Sequence, residues 1–599
     1  MTEYDETSLA AVFLNQVEKY GDRACVAHKE GGQYTDISWN RMGRMVRDLA
    51  SFLILMGIEK GDHVALFSPN RFEWWVTDLA ILATGAVDVP VYATNSTEET
   101  LSVLDHCGAR ACFVAGQEHL EKVLQIKGKL PDLEFVVVYN PVRREVDNIF
   151  SLQDAFEKGR DEYNGKEFDS ILRSIKPSDP ATIIYTSGTT GAPKGVILTH
   201  NNFITNVRQV LADFQGILSE KDIFLSFLPL SHVLERMAGY YLPVSIGAKV
   251  AFAEDFSTLQ QNLTEVRPTA IISVPRLYEK LHAGILSKIN EASRFKKALV
   301  KWALRLASEN LPYVCRQKKM KGGLAIRYGL ADRLVISKLK TALGIDRIKL
   351  AVSGGGPLSV SDSEFFIGMG LVLLEGYGLT ETTPVTNVNR PWLIKPGTVG
   401  PPVKDTIITF AEDGEILIKG PQVMPGYYKD ETATRESFTD NGFFRTGDIG
   451  MSDEDGYLSI TGRIKDIIIT AGGKNISPQS IEISLNESRY IEQVCITGDR
   501  RKYLSALVVP AFNELVQWAQ KRAIVFKDNE ELIQDARVLD LYEKEIEEGT
   551  SQFARVEKIR RFKLLTEDWS QQTGELTPTL KVKRRIVEEK YKELIDEMY

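Results

Sequence analysis

One loop of the chain combines the residue types that bind polyphosphates. Residues 185–195 read Tyr-Thr-Ser-Gly-Thr-Thr-Gly-Ala-Pro-Lys-Gly, and short apolar runs that predict strands precede and follow them. Backbone N–H groups, hydroxyls and the Lys194 cation can all approach phosphate oxygens here, and the glycines let the backbone come close. Because Lys194 is followed by Gly195 and a strand, not by a hydroxyl residue that opens a helix, the loop is not a Walker A motif.

Five later segments add glycines, hydroxyls and charged groups that a nucleotide or an acid substrate could use. They are residues 228–232 (Leu-Pro-Leu-Ser-His), 353–358 (Ser-Gly-Gly-Gly-Pro-Leu), 375–382 (Glu-Gly-Tyr-Gly-Leu-Thr-Glu-Thr), 444–450 (Phe-Arg-Thr-Gly-Asp-Ile-Gly) and 461–466 (Thr-Gly-Arg-Ile-Lys-Asp). The three glycines at 354–356 permit close approach of a flat ring, and Asp448 is expected in a tight turn. Taken alone, His232 is more typical of a hydrogen-bonded structural histidine, and Arg463 of a solvated charge.

The elements that must position these segments alternate between helices and strands. A helical period over 38–56 ends at Gly57, a typical helix C-terminal residue. Apolar runs at 63–67 and 135–139 are bounded by turn signals and predict strands. This alternation favours α/β layers around a parallel sheet.

The character of the chain changes in its last third. From 401 to 462 hairpin-type dipeptides separate short apolar runs, which predicts a β-rich part. We therefore predict an α/β fold with two domains. The large multi-lobed N-terminal domain, 1–464, has α/β layers and a β-rich lobe, and the small C-terminal domain, 465–599, is α+β.

Length, charge and cysteine use restrict the class of protein. A chain of 599 residues is too long for one core, since domains usually run about 100–200 residues. A net charge of −8 argues against nucleic acid as the main partner. The acidic start and the lack of any run of about 18 apolar residues predict neither a secretory signal nor a membrane span. Five scattered cysteines, without zinc-site spacing, are typical of free thiols in a reducing cytosol, so we expect a cytoplasmic protein.

One stretch departs from the acidic total. Residues 295–345 are helical in pattern and rich in lysine and arginine. The simplest interpretation is a solvated pair of helices. The alternative is a surface that touches anionic lipid headgroups, at the inner face of the membrane.

The loop at 185–195 resembles the phosphate-binding signature of the adenylate-forming superfamily, which includes acyl-CoA synthetases, peptide-synthetase adenylation domains and firefly luciferase. The five later segments match the motifs of that superfamily in order, and the resemblance covers roughly residues 10–590. It implies ATP, Mg²⁺ and CoA as cofactor and co-substrates, and a small C-terminal domain that is mobile and turns about Lys465.

The resemblance also implies a role for each matching residue. The ATP-binding residues would be Thr186, Ser187, Gly188, Thr189, Thr190, Gly191, Lys194, Gly354, Gly355, Gly356, Gly376, Tyr377, Gly378, Thr380, Asp448 and Arg463. The catalytic residues would be Lys194, His232, Thr380, Glu381 and Lys581. The acyl pocket would include His232, Gly354 and Tyr377, and Mg²⁺ would be held by Thr186 and Glu381, whose oxygens suit that ion. Lys583 competes with Lys581 as the active-site lysine, because this tail lacks the Ser-Gly-Lys form common elsewhere.

The substrate follows from the closest part of the resemblance. Residues 330–335 and 577–581 look like the long-chain fatty acyl-CoA synthetase branch, so we expect a long-chain fatty acid and CoA as partners. Two alternatives stay open: a medium-chain or aromatic acid as substrate, and an acyl-AMP ligase that loads a carrier-protein phosphopantetheine. A homodimer also stays open.

Three other functions are disfavoured. A peptide-synthetase domain would need an acid for the substrate ammonium, and 228–237 offers no evident Asp. Nothing indicates the oxygen chemistry of a luciferase, and the complete set of chemical residues argues against an inactive scaffold.

Overall fold

The computed structural model describes residues 4–142, 147–186, 193–214, 216–571, 573–577 and 581–599. The predicted helix at 38–56 is found at Trp39–Leu55. The Ser38 hydroxyl accepts a hydrogen bond from the backbone N–H of Arg41 at its start, and Gly57, with φ of 78°, follows its end. The predicted strands are found at His63–Phe67 and Phe135–Val138.

The first part of the chain alternates helices and strands. Its elements are α1 (Leu9–Tyr20), β1 (Ala24–Glu30), β2 (Gln33–Ser38), α2 (Trp39–Leu55), β3 (His63–Phe67), α3 (Phe72–Thr84), β4 (Val87–Val91), α4 (Thr97–Cys107), β5 (Ala111–Val114), α5 (Gln117–Ile126), β6 (Phe135–Val138), β7 (Ile149–Ser151), α6 (Leu152–Asp161), α7 (Gly165–Ser174) and β8 (Pro180–Thr186).

The middle part continues the alternation and contains two π-helical turns, Glu235–Tyr241 and Asp332–Ile336. Its other elements are β9 (Lys194–Thr199), α8 (His200–Phe214), β10 (Ile223–Ser226), α9 (Leu242–Ile246), β11 (Lys249–Phe252), α10 (Leu259–Val266), β12 (Ala270–Ser273), α11 (Pro275–Glu291), α12 (Arg294–Val314), α13 (Gly322–Ala331), α14 (Ser337–Leu343), β13 (Leu350–Ser353), α15 (Val360–Gly368), β14 (Leu373–Gly378) and β15 (Val385–Val388).

Two mixed eight-stranded sheets organise these elements. One has the order β7-β6-β5-β3-β4-β8-β9-β18, and the other β15-β14-β13-β12-β10-β11-β1-β2. The inner strands of both sheets run mainly parallel. Antiparallel pairs close three of the four edges, and the fourth edge strand, β7, runs parallel to β6. The parallel layers confirm the predicted α/β class.

The β-rich lobe follows as a four-stranded antiparallel sheet of order β16-β17-β19-β20. The elements of this part are β16 (Ile407–Phe410), β17 (Glu415–Lys419), β18 (Gly426–Tyr427), α16 (Glu431–Glu436), β19 (Phe444–Ser452) and β20 (Leu458–Arg463). Strand β18 leaves this lobe and pairs with β9, so the β-rich lobe is joined to the strand that carries Lys194.

The C-terminal part is α+β and has apolar clusters of its own from Ile468 onward. Its elements are β21 (Ile468–Ile469), β22 (Asn475–Ile476), α17 (Pro478–Asn486), β23 (Ile491–Thr497), β24 (Leu504–Pro510), α18 (Phe512–Gln520), α19 (Asn529–Gln534), α20 (Ala536–Gly549), β25 (Ile559–Leu564), α21 (Arg584–Lys590) and α22 (Lys592–Asp596). Within the described ranges, no helix is both long and apolar enough to cross a membrane.

Candidate active site

The predicted phosphate loop joins two paired strands. Thr186 ends β8 and Lys194 begins β9, and the two residues face each other in the antiparallel ladder. Ser187, Gly188, Thr189, Thr190 and Gly191 lie outside the described residues. The Lys194 ammonium lies 5.0 Å from the centroid of the Tyr427 ring, a distance that permits a cation–π contact.

Tyr427 also contacts the predicted metal ligand. Its hydroxyl donates a hydrogen bond of 2.9 Å to Oε1 of Glu381. Burial raises the pKa of the Glu381 carboxyl, and the hydrogen bond from Tyr427 opposes that shift. Thr380 and Glu381 begin a short 3₁₀ turn, Thr380–Thr382, directly after β14. Lys194, Tyr427 and Glu381 therefore form one group, with Tyr427 between the two charged side chains.

Three glycines at 354–356 follow β13 and approach the C-terminal part of the chain. A Cβ placed on Gly354 would lie 3.4 Å from the Leu234 side chain. A Cβ on Gly356 would lie 3.7 Å from Pro275 and 4.0 Å from Cε of Lys581. Gly355 has φ of 74°, a conformation that glycine adopts without strain.

The two glycines in β14 have different surroundings. A Cβ on Gly376 would be 3.4 Å from the carbonyl oxygen of Asn387, an ordinary contact. A Cβ on Gly378 would be 1.6 Å from the carbonyl oxygen of Pro384. The neighbouring backbone passes so close that only glycine fits at this position. Packing explains Gly378 without a ligand.

Asp448 connects two other predicted residues. The Tyr377 hydroxyl donates a hydrogen bond of 2.7 Å to Oδ2 of Asp448, and Nε of Arg463 lies 2.9 Å from Oδ1. Asp448 is buried, and its charge raises the pKa of Arg463. The prediction of a tight turn at Asp448 is wrong, because the residue lies inside β19, where it is paired with Arg463 of β20. Gly447, with φ of 68°, provides the local irregularity that suggested a turn.

Lys581 enters this group from the C-terminal part. Its side chain reaches solvent, but many protein atoms lie close to it, and the desolvation they cause together with the Arg463 cation lowers the pKa of its ammonium to about 8. Its backbone is held by Thr577, whose hydroxyl accepts a hydrogen bond of 3.0 Å from the Lys581 N–H. The predicted residues 578–580 beside it lie outside the described ones.

His232 lies within electrostatic range of Lys581. Burial lowers the pKa of its imidazole to about 4, and the charge of Lys581 acts in the same direction. Nδ1 of His232 accepts a hydrogen bond of 3.2 Å from the Leu234 N–H. The ring is thus neutral at pH 7 and is fixed by its own chain segment.

Sequence reasoning missed the residue that holds the His232 segment in place. The Asn70 side-chain amide donates to the carbonyl oxygen of Leu228 at 2.6 Å and to the Ser226 hydroxyl at 3.2 Å. Its oxygen accepts from the Leu230 N–H at 2.9 Å. Asn70 follows β3, an inner strand of one large sheet, and so connects the C-terminal end of that strand to the loop after β10 of the other sheet.

A buried ion cluster fixes the turn that follows His232. Arg236 is fully buried, and its guanidinium lies 2.6 Å from Asp78 and 2.5 Å from Asp88. The Tyr240 hydroxyl donates to Asp78 at 2.9 Å. These partners come from α3, β4 and the π-helical turn, so the cluster positions that turn against the first sheet.

Comparisons with known proteins identify the family of the chain. The model of the AMP-binding enzyme family matches residues 13–428, and that of the AMP-binding enzyme C-terminal domain matches residues 465–599. The long-chain-fatty-acid–CoA ligase FadD15 of Mycobacterium bovis is 36% identical over 577 residues, covering 95% of this chain and 93% of that protein. The human long-chain-fatty-acid–CoA ligase ACSBG2 is 32% identical over 619 residues, covering 98% and 91%.

A solved structure supports the same fold. The adenylation domain of a carboxylate reductase from Mycobacterium chelonae superposes with a TM-score of 0.77 at 22% identity, over 99% of this chain and 91% of that one. The chain therefore belongs to the AMP-binding enzyme family, which is the adenylate-forming superfamily, and to its long-chain fatty acyl-CoA synthetase branch. The resemblance found in the motifs is confirmed.

Proposed function

We propose that this chain activates a long-chain fatty acid with ATP as an acyl-adenylate, releases pyrophosphate, and then transfers the acyl group to CoA with release of AMP. Two relatives named long-chain-fatty-acid–CoA ligases match nearly the whole chain, which supports both the substrate and the acceptor. The single structural observation that supports the chemistry most strongly is the position of Lys581 beside Gly356, where the charges of Arg463 and Asp448 act on its ammonium.

Charge neutralisation is the main task of the first half-reaction. The oxygen of the fatty carboxylate attacks the α-phosphorus, and the bond to the pyrophosphate oxygen breaks. Because the carboxylate and the phosphates are both negative, the cations Lys581 and Lys194 and the donors of the loop at 185–195 lower the barrier by electrostatics and positioning. Lys581 is proposed over Lys583 because Lys581 is the one near Gly356 and Arg463.

The nucleotide would lie between the glycine turn and β14. Tyr377 and Gly354–Gly356 would contact the adenine, Asp448 would accept hydrogen bonds from the ribose hydroxyls, and Thr380 would bind the α-phosphate. Arg463 would bind ribose and phosphate while its pairing with Asp448 keeps it oriented.

The Mg²⁺ that the family uses fits the donors that are present. Thr186 provides a hydroxyl and Glu381 a carboxylate, and Mg²⁺ is commonly held by one or two carboxylates together with substrate phosphates. When bound, it would neutralise phosphate charge. Glu381 is oriented for this by Tyr427, which is already hydrogen-bonded to one of its oxygens.

The acyl carboxylate would lie beside His232, Gly354 and Tyr377. The neighbouring segment also contains a buried acid, Glu235, which sequence reasoning passed over in favour of a search for Asp. Burial raises the pKa of Glu235 to about 8, and an ammonium group bound beside it would lower that pKa again. The support for a fatty acid over an amino acid therefore comes from the relatives named long-chain-fatty-acid–CoA ligases.

The second half-reaction would use a different arrangement of the two proposed domains, 1–464 and 465–599. Lys465 lies in a 3₁₀ turn, Ile464–Asp466, between the last strand of the β-rich lobe and the C-terminal part, which supports it as the hinge. A turn about Lys465 would withdraw Lys581 and open a path for the CoA thiol, which attacks the acyl carbonyl while AMP leaves.

The proposal includes peripheral contact of the region 295–345 with a membrane, and a cytoplasmic location. A homodimer stays a prediction. The test of the function is release of pyrophosphate and AMP with Mg-ATP across acids from acetate to oleate and benzoate, with and without CoA. Fast turnover of long-chain acids only with CoA is expected. Adenylate formation that CoA never accelerates would instead indicate a carrier-protein acceptor.

A further inference from the structure

The helices α12 to α14 concentrate positive charge in an acidic protein. Residues 294–343 contain thirteen lysines and arginines and two acidic residues, a net charge of +11. Because the whole chain has −8, all other residues together carry −19. The two signs are therefore strongly segregated along the chain.

Little of this positive charge is neutralised nearby. In the part of the chain that the structure describes, the ion pairs of this segment are Arg305 with Glu309 at 3.9 Å and Lys340 with Asp332 at 4.0 Å. Both distances are long for an ion pair. The surface of these helices consequently attracts anions.

An aliphatic stripe lies within the same charged surface. Ile326, Leu330 and Leu334 are 76%, 51% and 40% exposed. They are four residues apart along α13 and the π-helical turn that continues it, so they line one face. The exposed Arg327 and Arg333 flank the stripe.

The opposite face of α13 and of the turn that continues it packs against the protein core. Ala331 and Val335 are buried, and Leu324 and Tyr328 pack against the core. The helix is therefore anchored to the protein through its inner face, and the exposed stripe forms its outer face. Large exposed aliphatic side chains in a row are uncommon on a protein that has no contact for them.

We infer that the stripe Ile326/Leu330/Leu334 inserts into the surface of a bilayer that contains anionic lipid, with the surrounding lysines and arginines contacting the headgroups. An apolar face bordered by basic residues is the arrangement of helices that lie in a membrane interface. Basic side chains near an anionic membrane add attraction that salt screens.

Two other occupants fit the charge and shape less well. A symmetric contact with a second copy would bring the same patch opposite itself, so that one positive surface would meet another. Single-stranded nucleic acid is bound largely through aromatic side chains that stack on bases, whereas the side chains of this stripe are aliphatic.

The inferred surface is connected to the active site by one helix. Pro275, the first residue of α11, lies 3.7 Å from the Cβ position of Gly356, and α11 runs to Glu291, just before α12 begins at Arg294. A helix of 17 residues spans about 25 Å. Fatty acids dissolved in a bilayer would then be taken up close to the active site. This part of the inference rests on the proposed function, because it takes the substrate to be a fatty acid.

Flotation of the purified full-length protein with vesicles tests the inference. We expect binding to vesicles of phosphatidylcholine mixed with phosphatidylglycerol, little binding to phosphatidylcholine alone, and loss of binding at high salt. The triple variant Ile326→Ser, Leu330→Ser, Leu334→Ser should lower binding at least about tenfold. The matched control, Ile407→Ser, Met451→Ser, Val525→Ser, removes three apolar side chains elsewhere that are each more than half exposed, and it should bind as the parent does.

The outcomes separate this inference from the proposed function. The stripe variant should keep the parent rate with a dissolved medium-chain acid in the absence of vesicles. Unchanged vesicle binding by the stripe variant, or no binding by the parent, would overturn the inference. So would a parent dimer in sedimentation that only the stripe variant dissolves, because the stripe would then be covered by a second copy. If no acid is a substrate, the proposed function is wrong. The vesicle experiment then still tests whether the stripe binds a membrane.

Discussion

The Tyr427 hydroxyl donates a hydrogen bond of 2.9 Å to Glu381, while the ammonium of Lys194 lies 5.0 Å from the ring of the same tyrosine. Tyr427 is in β18, the short strand that leaves the β-rich lobe to pair with β9. The carboxylate proposed for Mg²⁺ and the lysine proposed for the phosphates are therefore oriented by a residue from a different lobe.

Replacing Tyr427 with Phe should shift the acid limb of the adenylation pH profile to higher pH. Burial raises the pKa of Glu381 and the Tyr427 hydrogen bond lowers it, so loss of that bond raises the pKa further and protonates the carboxyl at a higher pH. The profile of pyrophosphate release measures this. Tyr428→Phe, at the next position, is the control and should leave the limb where it is.

Replacing Lys581 with Ala should abolish adenylation and largely preserve transfer to CoA from preformed acyl-adenylate. In the parent, the rate of adenylation should fall as pH rises through about 8, because the lysine must be protonated to neutralise charge and its pKa is about 8. Rapid-quench assays of the two half-reactions measure both effects. Lys583→Ala should resemble the parent, and equal loss of the two half-reactions in Lys581→Ala would contradict the assignment.

Replacing Glu492 with Gln should slow adenylation selectively. Arg276, at the start of α11, forms an ion pair with Glu492 of β23, which connects the helix that begins beside Gly356 to the C-terminal part. Loss of a partly exposed pair is expected to reduce the adenylation rate about twofold to fivefold and to spare thioester formation. Glu514→Gln, which removes a pair with Arg489 inside the C-terminal part, is the control.

Replacing Arg236 with Met should destabilise the protein. The change leaves Asp78 and Asp88 buried without their cation, which typically costs about 3–5 kcal/mol. Urea unfolding followed by tryptophan fluorescence measures the loss. Arg160→Met removes a surface pair with Asp48 and should cost no more than about 1 kcal/mol. An equal loss of unfolding free energy in the two variants would show that the buried cluster stabilises the protein no more than the surface pair does.

Local patterns predicted much of the fold. The helix at Trp39–Leu55 and the strand at His63–Phe67 follow from apolar spacing and from the residues that cap or bound them. Asp448 shows the limit of that reasoning, since a glycine with positive φ inside a strand gives the same local signal as a turn.

The motifs predicted the group of Tyr377, Asp448, Arg463 and Lys581, but they did not predict the residues that hold the His232 segment in place. Asn70 acts on residues about 160 positions away, and Arg236 pairs with Asp78 over a similar separation. Such contacts depend on how two sheets are placed, which no local pattern encodes. A Pro-Gly turn before two tyrosines, at 425–428, was the available signal for Tyr427.

The most direct test of the account is detection of the intermediate itself. The full-length protein is mixed with Mg-ATP and palmitate without CoA, and the products are analysed by mass spectrometry before and after CoA is added. The account predicts palmitoyl-adenylate and pyrophosphate in the first step and their conversion to palmitoyl-CoA and AMP in the second. Formation of ADP and phosphate, or acyl-CoA without any adenylate, would contradict it.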